Sequence, residues 1–246
     1  MMDFLTGPWQ FGFMERALVG GILVGTICAV IGTYVVLRGL AFIGDALAHA
    51  AFPGVVIAYM LKANIYLGAA IFTVGTALGI AFISRRARTS YDTTIGILFA
   101  GAFALGILLM SHDVHAGEHL KDLLVGQILW VSNTQLIATA LLTVALLAVW
   151  KGLRQRLGNF GFYALFAIAI TASVQLVGIY LVFASLIVPA LVTYRHTRRR
   201  YLFAYVVGIA GYILGLLLSV WLDLPTGAAI VWSMVLCGSV MFFVRK

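Results

Sequence analysis

Asp45 and His49 stand four residues apart in GLAFIGDALAHAAFPGV, residues 39–55, among apolar and small residues. On a helix, side chains at i and i+4 share one face, so the carboxylate and the imidazole would lie side by side. Such a pair suits a divalent cation such as zinc or manganese. The alternative is a structural role, in which the pair hydrogen-bonds between two helices. Two ligands are too few for tight binding, and a symmetric dimer with this helix beside its axis would supply four.

A second cluster lies in SHDVHAGEHLKD, residues 111–122. The potential metal ligands of this stretch are His112, Asp113, His115, Glu118, His119 and Asp122. A histidine-rich tract is typical of metal binding, and spacings of four would align pairs of these ligands if the loop were helical. The alternative is an ordinary solvated loop. We predict a metal role, in capture rather than translocation, and its imidazoles favour zinc over manganese.

Membrane helices are the elements that must position these groups. The chain has 246 residues, of which 63% are hydrophobic and 10% charged, against about 45–50% and 25% in soluble domains. We therefore predict an all-α, polytopic integral membrane helix bundle, with one transmembrane domain over residues 1–246. The predicted spans are 13–37, 41–61, 64–84, 93–111, 134–150, 160–194, 201–221 and 227–244.

Basic residues orient these spans. They concentrate in RRARTS (85–90), KGLRQRLGN (151–159) and RHTRRR (195–200), and short basic loops mark the cytoplasmic side. This places the C-terminus in the cytoplasm and the N-terminus outside. The same basic loops account for the formal charge of +8. We therefore expect membrane lipid, and no nucleic acid, around this charge.

The segment 160–194 begins and ends on the cytoplasmic side in this orientation, so it must cross twice or re-enter. We expect a broken or re-entrant segment, with Gly178 and Pro189 as candidate breaks, and about eight to nine crossings in total. Broken helices persist at membrane depth only where they are packed in protein or line a cavity. The segment is therefore expected near a transport pathway.

The motifs of soluble enzymes do not occur in the sequence. It contains no hydrolase elbow, no dinucleotide fingerprint and no GxxxxGK[ST] loop for ATP. An intramembrane metal enzyme built on Asp45 and His49 is disfavoured, because a catalytic zinc normally has three protein ligands. We predict a transport protein that is not an enzyme. If its transport is driven by ATP, the ATPase must be another subunit.

Several stretches, taken in their order, carry a family resemblance. They are GTYVVLRGLAFIGDALAHAAFPGVVIAY, YDTTIGILFAGAFALGILL, LVGQILWVS, QLVGIYLVFASLIVPALV and DLPTGAAIV. Over about residues 12–245 the chain resembles the ABC-3 permeases, the membrane subunits of ABC importers for zinc, manganese and iron. The GDALAHA and SLIVPALV segments are the most specific parts of the likeness.

The resemblance implies a permease of the bacterial or archaeal plasma (inner) membrane that moves a divalent metal into the cytoplasm. We expect zinc as the transported metal and no permanently bound cofactor. The implied partners are cytoplasmic ATP-binding subunits, an extracytoplasmic metal-binding protein, and a second permease, either the same chain or a paralogue. Asp45 and His49 match the Asp-x-x-x-His element that contacts the metal in the translocation path.

The chain departs from the family after the fifth span. Family members carry there a longer cytoplasmic stretch that begins Phe-Asp-Pro-Glu and includes a short helix docking on the ATPase. Here Trp150 runs through KGLRQRLGN directly into the next span, which leaves Lys151, Arg154 and Arg156 as docking candidates. Two alternatives follow: an ATP-independent metal channel or facilitator, and an uncoupled paralogue that pairs with a full-length permease.

Overall fold

The computed structural model describes residues 11–86, 90–111, 128–153, 158–192 and 200–244. These ranges form nine α-helices and one 3-10 turn, Ile128–Trp130, and contain no strand. The prediction of an all-α polytopic bundle is confirmed. The helices are α1 (Gly12–Leu37), α2 (Ala41–Met60), α3 (Ile65–Arg86), α4 (Tyr91–Met110), α5 (Asn133–Leu153), α6 (Gly158–Val177), α7 (Ile179–Val192), α8 (Arg200–Leu222) and α9 (Thr226–Val244).

Seven of these helices, α1 to α6 and α8, are long and apolar enough to cross a membrane. The apolar helix α7 is shorter, with 14 residues. At about 1.5 Å per residue it measures roughly 21 Å, less than the hydrocarbon thickness of about 30 Å. The protein is therefore a multi-pass membrane protein, and α7 is shorter than the helices that can each cross a membrane.

The predicted break in the segment 160–194 falls at Gly178. This glycine separates α6 from α7 and has a φ of 88°, a conformation that glycine adopts without a Cβ clash. Pro189, the other candidate, lies inside α7 and does not interrupt it. That part of the expectation was wrong, because packed neighbouring helices tolerate a proline within a membrane helix.

The chain reverses direction at Gly178. A Cβ at Gly44 of α2 would lie 2.9 Å from the Leu186 side chain of α7 and 3.6 Å from that of Phe166 of α6. The two helices also pack against each other. Leu186 and Phe166 reach the same point on α2 only if α7 folds back beside α6. The segment therefore crosses the bundle and returns.

Close helix approach builds the centre of the bundle around α1 and α7. Tyr212 of α8 is completely buried, and its ring lies where a Cβ at Gly21 of α1 would stand. Its Oη is 3.0 Å from Ser185 Oγ on α7. Small residues allow such approach in lipid, where dispersion contacts and interhelical hydrogen bonds hold helices together. The returning helix α7 is thereby fixed between α1 and α8.

Candidate metal-binding site

The α2 helix positions Asp45 and His49 one turn apart, with their side chains in contact. The His49 Nδ1 atom lies 3.0 Å from the main-chain oxygen of Asp45 and 3.3 Å from its Oδ1. The α2 helix packs closely against α3 and α4. The pair is therefore carried by a helix that two neighbours hold firmly in place.

The hydrogen bond to the main chain decides which imidazole nitrogen is free. A carbonyl oxygen only accepts hydrogen bonds, so the Nδ1 atom of His49 must carry the proton and donate to Asp45. The Nε2 atom then keeps its lone pair and can bind a cation. Metal-binding histidines commonly donate their other ring N–H to a carbonyl or a carboxylate, which fixes the tautomer and the ring orientation. The arrangement of His49 has this form.

Two phenylalanines of α4 enclose the imidazole. The His49 ring meets Phe99 edge to face with centroids 5.0 Å apart, and Phe103 with centroids 5.6 Å apart. The two phenyl rings are parallel to within 4°, and Ser90 caps the first turn of their helix. Sequence reasoning missed both residues. The available signal was their spacing of four, which places them on one face of α4.

The Asp45–His49 pair lies on the open side of α2. The side chain of His49 is 13% exposed and that of Asp45 is 31% exposed. Phe42, one turn earlier on the same face, is 65% exposed. The neighbouring positions Ile43, Gly44, Ala46, Leu47 and Ala48 are all buried. The ionisable pair therefore lies on a more exposed side of α2 than these neighbouring positions.

Pro53 interrupts the hydrogen-bond pattern of α2 next to the pair. It lies inside α2 and has no N–H, so it cannot bond to the carbonyl of the residue four positions earlier, which is His49. The carbonyl of His49 therefore lacks its usual helical donor.

The other predicted site residues are placed unequally. Lys151 lies exposed in the last turn of α5. Within the described ranges, no group of three or more His, Cys, Asp or Glu side chains is arranged to hold one metal ion. The predicted residues that lie outside the described ranges are Arg154, Arg156 and the whole loop cluster His112, Asp113, His115, Glu118, His119 and Asp122.

Known membrane transport proteins are similar to this chain along nearly its whole length. The family model described as "ABC 3 transport family" matches residues 10–151 and 146–245. The "Manganese transport system membrane protein MntC" of Listeria innocua is 36% identical over 99% of this chain and 93% of its own length. The "Chelated iron transport system membrane protein YfeD" of Yersinia pestis is 33% identical over 94% of this chain and 85% of its own.

A solved structure has the same fold. It is titled "PsaBC from Streptococcus pneumoniae in complex with Fab", and the matching chain superposes with a TM-score of 0.82 at 27% identity. The match covers 99% of this chain and 95% of that one. The similarity therefore extends over all the helices described above.

The comparisons also reveal a discontinuity. The family model matches in two segments, which overlap at residues 146–151. The alignment with the Listeria innocua protein runs over 265 positions, although it takes in only 99% of this 246-residue chain. About twenty positions of that relative therefore have no counterpart here. The family-model break falls at the end of α5, where the sequence shows its short connection to α6.

Proposed function

This chain belongs to the ABC-3 transport family, and from that premise we propose that it is the permease of an ATP-driven importer for a divalent cation. The whole chain acts as one permease domain in the bacterial inner membrane, with its C-terminus in the cytoplasm. Manganese, in preference to zinc, is the proposed cargo. The observation that carries the proposal is the Asp45–His49 pair on the open face of α2.

The pair serves as a cation site in the translocation path. His49 presents Nε2 to the cation, while Asp45 holds Nδ1 and contributes a negative charge. Ionisable side chains within a membrane are costly and normally face a bundle interior or a water-filled cavity. Since the pair is partly exposed in a single chain, another protein surface must cover it and shield it from lipid. A second permease related by a two-fold axis supplies that cover and a second copy of the site.

Manganese is proposed on comparative grounds. Carboxylate oxygens suit manganese and imidazole suits zinc, so the Asp45–His49 pair by itself does not choose between the two metals. The relatives described above are named for manganese and iron. The prediction of zinc rested on the loop 112–122, which lies outside the described residues, and it is not confirmed.

The energy for transport would come from other subunits. The sequence has no phosphate-binding loop for ATP, so a cytoplasmic ATP-binding subunit is the proposed source of energy. An extracytoplasmic metal-binding protein is the proposed donor of the cation. The discontinuity at residues 146–151 favours one alternative, a facilitator that conducts the cation without ATP.

Reconstitution tests this proposal. Proteoliposomes that contain the permease, its ATP-binding subunit and its binding protein should accumulate manganese only when ATP is added on the ATPase side. Competition with excess zinc and iron measures the order of preference. His49→Ala should abolish uptake while the complex still assembles on size-exclusion chromatography.

Three results would count against the proposal. Manganese flux at the same rate without nucleotide would establish the facilitator instead. Zinc uptake that tenfold excess manganese does not inhibit would restore the zinc expectation. Unchanged uptake by His49→Ala would remove the pair from the path.

A further inference from the structure

Two arginines at one end of the bundle lie on aromatic rings. The guanidinium carbon of Arg38, which follows α1, is 4.4 Å from the Tyr34 ring centroid and 5.7 Å from that of Phe162. The guanidinium of Arg85, in the last turn of α3, is 5.5 Å from the centroid of Phe160. Ring faces attract a guanidinium and fix its plane while leaving its N–H groups available. Both cations are thus held beside the beginning of α6.

A compact aromatic cluster lies beneath Arg38. The Tyr34 ring is 4.8 Å from the Trp150 ring and 4.9 Å from the Phe162 ring, and Trp150 is 5.7 Å from Phe162. Trp150 is buried and directly precedes Lys151. The cluster therefore joins the end of α1 to both ends of the α5–α6 connection. The two matched segments of the family model overlap at the start of that connection.

The turn after Tyr34 leads directly to the cation site. Only Arg38, Gly39 and Leu40 separate α1 from α2. The Leu40 N–H donates to the Val35 carbonyl at 3.0 Å, and Gly39 has a φ of 69°. Such a short hydrogen-bonded turn allows little independent movement of the two helices. A displacement of Arg38 is consequently passed to the first turns of α2, where Asp45 lies.

The charges at this end of the bundle define the partner. Among the described residues at this end of the bundle, cations outnumber carboxylates. One of the carboxylates is Asp92, in the first turn of α4. No carboxylate among the described residues lies within ion-pair distance of Arg38 or Arg85. The described cations at this end are Arg38, Arg85, Arg86, Lys151 and Arg200. The complementary surface is therefore acidic.

We propose that Arg38 and Arg85 contact an acidic surface of the ATP-hydrolysing subunit, and that Arg38 transmits the movement of that subunit to α2. This inference rests on the proposed function. About twenty positions of the Listeria innocua protein have no counterpart in this chain, and the family model breaks at residues 146–151, beside these cations. Arg38 is a positioning residue, because it acts on Asp45 and His49 through the turn before α2.

The test uses the reconstituted complex with the ATP-binding subunit and the binding protein. Manganese uptake and ATP hydrolysis are measured in the same vesicles, and the affinity between permease and ATPase is measured in detergent. Arg38→Gln should lower the manganese transported per ATP about tenfold while manganese binding to the permease is retained. Arg85→Gln should weaken the permease–ATPase affinity about tenfold, as expected for a charge that is desolvated at an interface.

Conservative and control variants separate this role from a structural one. Arg38→Lys keeps the charge and should restore part of the coupling ratio. Lys62→Gln removes an exposed cation at the opposite end of α2 and should change neither quantity. All variants are compared with the wild type for their midpoint of thermal unfolding in detergent.

Unchanged coupling in Arg38→Gln together with unchanged affinity in Arg85→Gln would overturn the inference. The same experiment in vesicles of neutral and of anionic lipid identifies the other candidate partner. Defects that occur only in anionic vesicles would assign the arginines to lipid headgroups and overturn the inference as well. A wild-type complex that takes up no cation with ATP would instead refute the proposed function.

Discussion

The hydrogen bond between His49 and Asp45 predicts unequal effects of replacing the two side chains. Asp45→Asn removes the carboxylate charge at 3.3 Å from Nδ1 but leaves the main-chain oxygen that accepts from the same nitrogen at 3.0 Å. His49→Gln removes the imidazole itself. Asp45→Asn leaves the imidazole ligand in place but orients it less firmly, whereas His49→Gln removes that ligand.

The magnitudes follow from this difference. Loss of a residue that orients a metal ligand typically lowers metal affinity about 10–100-fold, which is roughly 1.4–2.7 kcal/mol at about 1.36 kcal/mol per tenfold. Because the main-chain bond to His49 persists, we expect Asp45→Asn to lie near the lower limit, at about tenfold. For His49→Gln we expect a loss of at least about a hundredfold, because no nitrogen ligand remains.

Manganese binding to the purified permease, measured by isothermal titration calorimetry, provides the assay. Asp223→Asn is the matched control. Asp223 is exposed and has a φ of 50°, a conformation that asparagine tolerates. The Asp223→Asn variant should therefore bind manganese as the wild type does. An Asp45→Asn loss as large as that of His49→Gln would refute the orienting role and make the carboxylate a ligand in its own right. Wild-type affinity in both variants would refute the site.

Two further predictions concern the packing and the chain reversal inside the bundle, and both are measured as thermal or denaturant unfolding in detergent. Gly215→Ala should destabilise the protein by about 1–3 kcal/mol, because its Cβ would come within 2.7 Å of the Ile230 main-chain nitrogen. Gly75→Ala is the control, because a Cβ there would have no neighbouring atom within 4 Å, and it should be neutral or stabilising by up to about 1 kcal/mol. Equal effects of Gly215→Ala and Gly75→Ala would contradict the close α8–α9 contact. Gly178→Ala should cost about 1–2 kcal/mol because of its positive φ, and a wild-type unfolding midpoint would show that the reversal does not need a glycine.

Features that depend on local periodicity were predictable from the sequence. The apolar runs predicted the membrane helices, because each run of about twenty residues must satisfy its own main-chain hydrogen bonds in lipid. The spacing of Asp45 and His49 predicted their contact, because residues four apart share a helix face. The break at Gly178 was also foreseen, but the choice between Gly178 and Pro189 was not. A proline is tolerated or not according to the helices around it.

Other features depended on contacts between distant segments. Phe99 and Phe103 lie about fifty residues from His49 in the sequence, and nothing in their own spacing shows which helix they meet. The same holds for Arg38, whose position on the Tyr34 and Phe162 rings could not be read from its place in the sequence. The expectation of zinc is not confirmed, and the relatives reported above are named for manganese and iron.

The sequence by itself thus determined that this protein is a bundle of membrane helices carrying an acid–imidazole pair. Both properties arise within single helices, from hydrophobicity and the 3.6-residue repeat. The tertiary structure alone decided that α7 returns beside α6, that the pair faces the open side of α2, and that Phe99 and Phe103 of α4 enclose the imidazole of His49. Those outcomes depend on how helices separated in sequence fit against one another, and close packing of side chains is a property of the whole bundle.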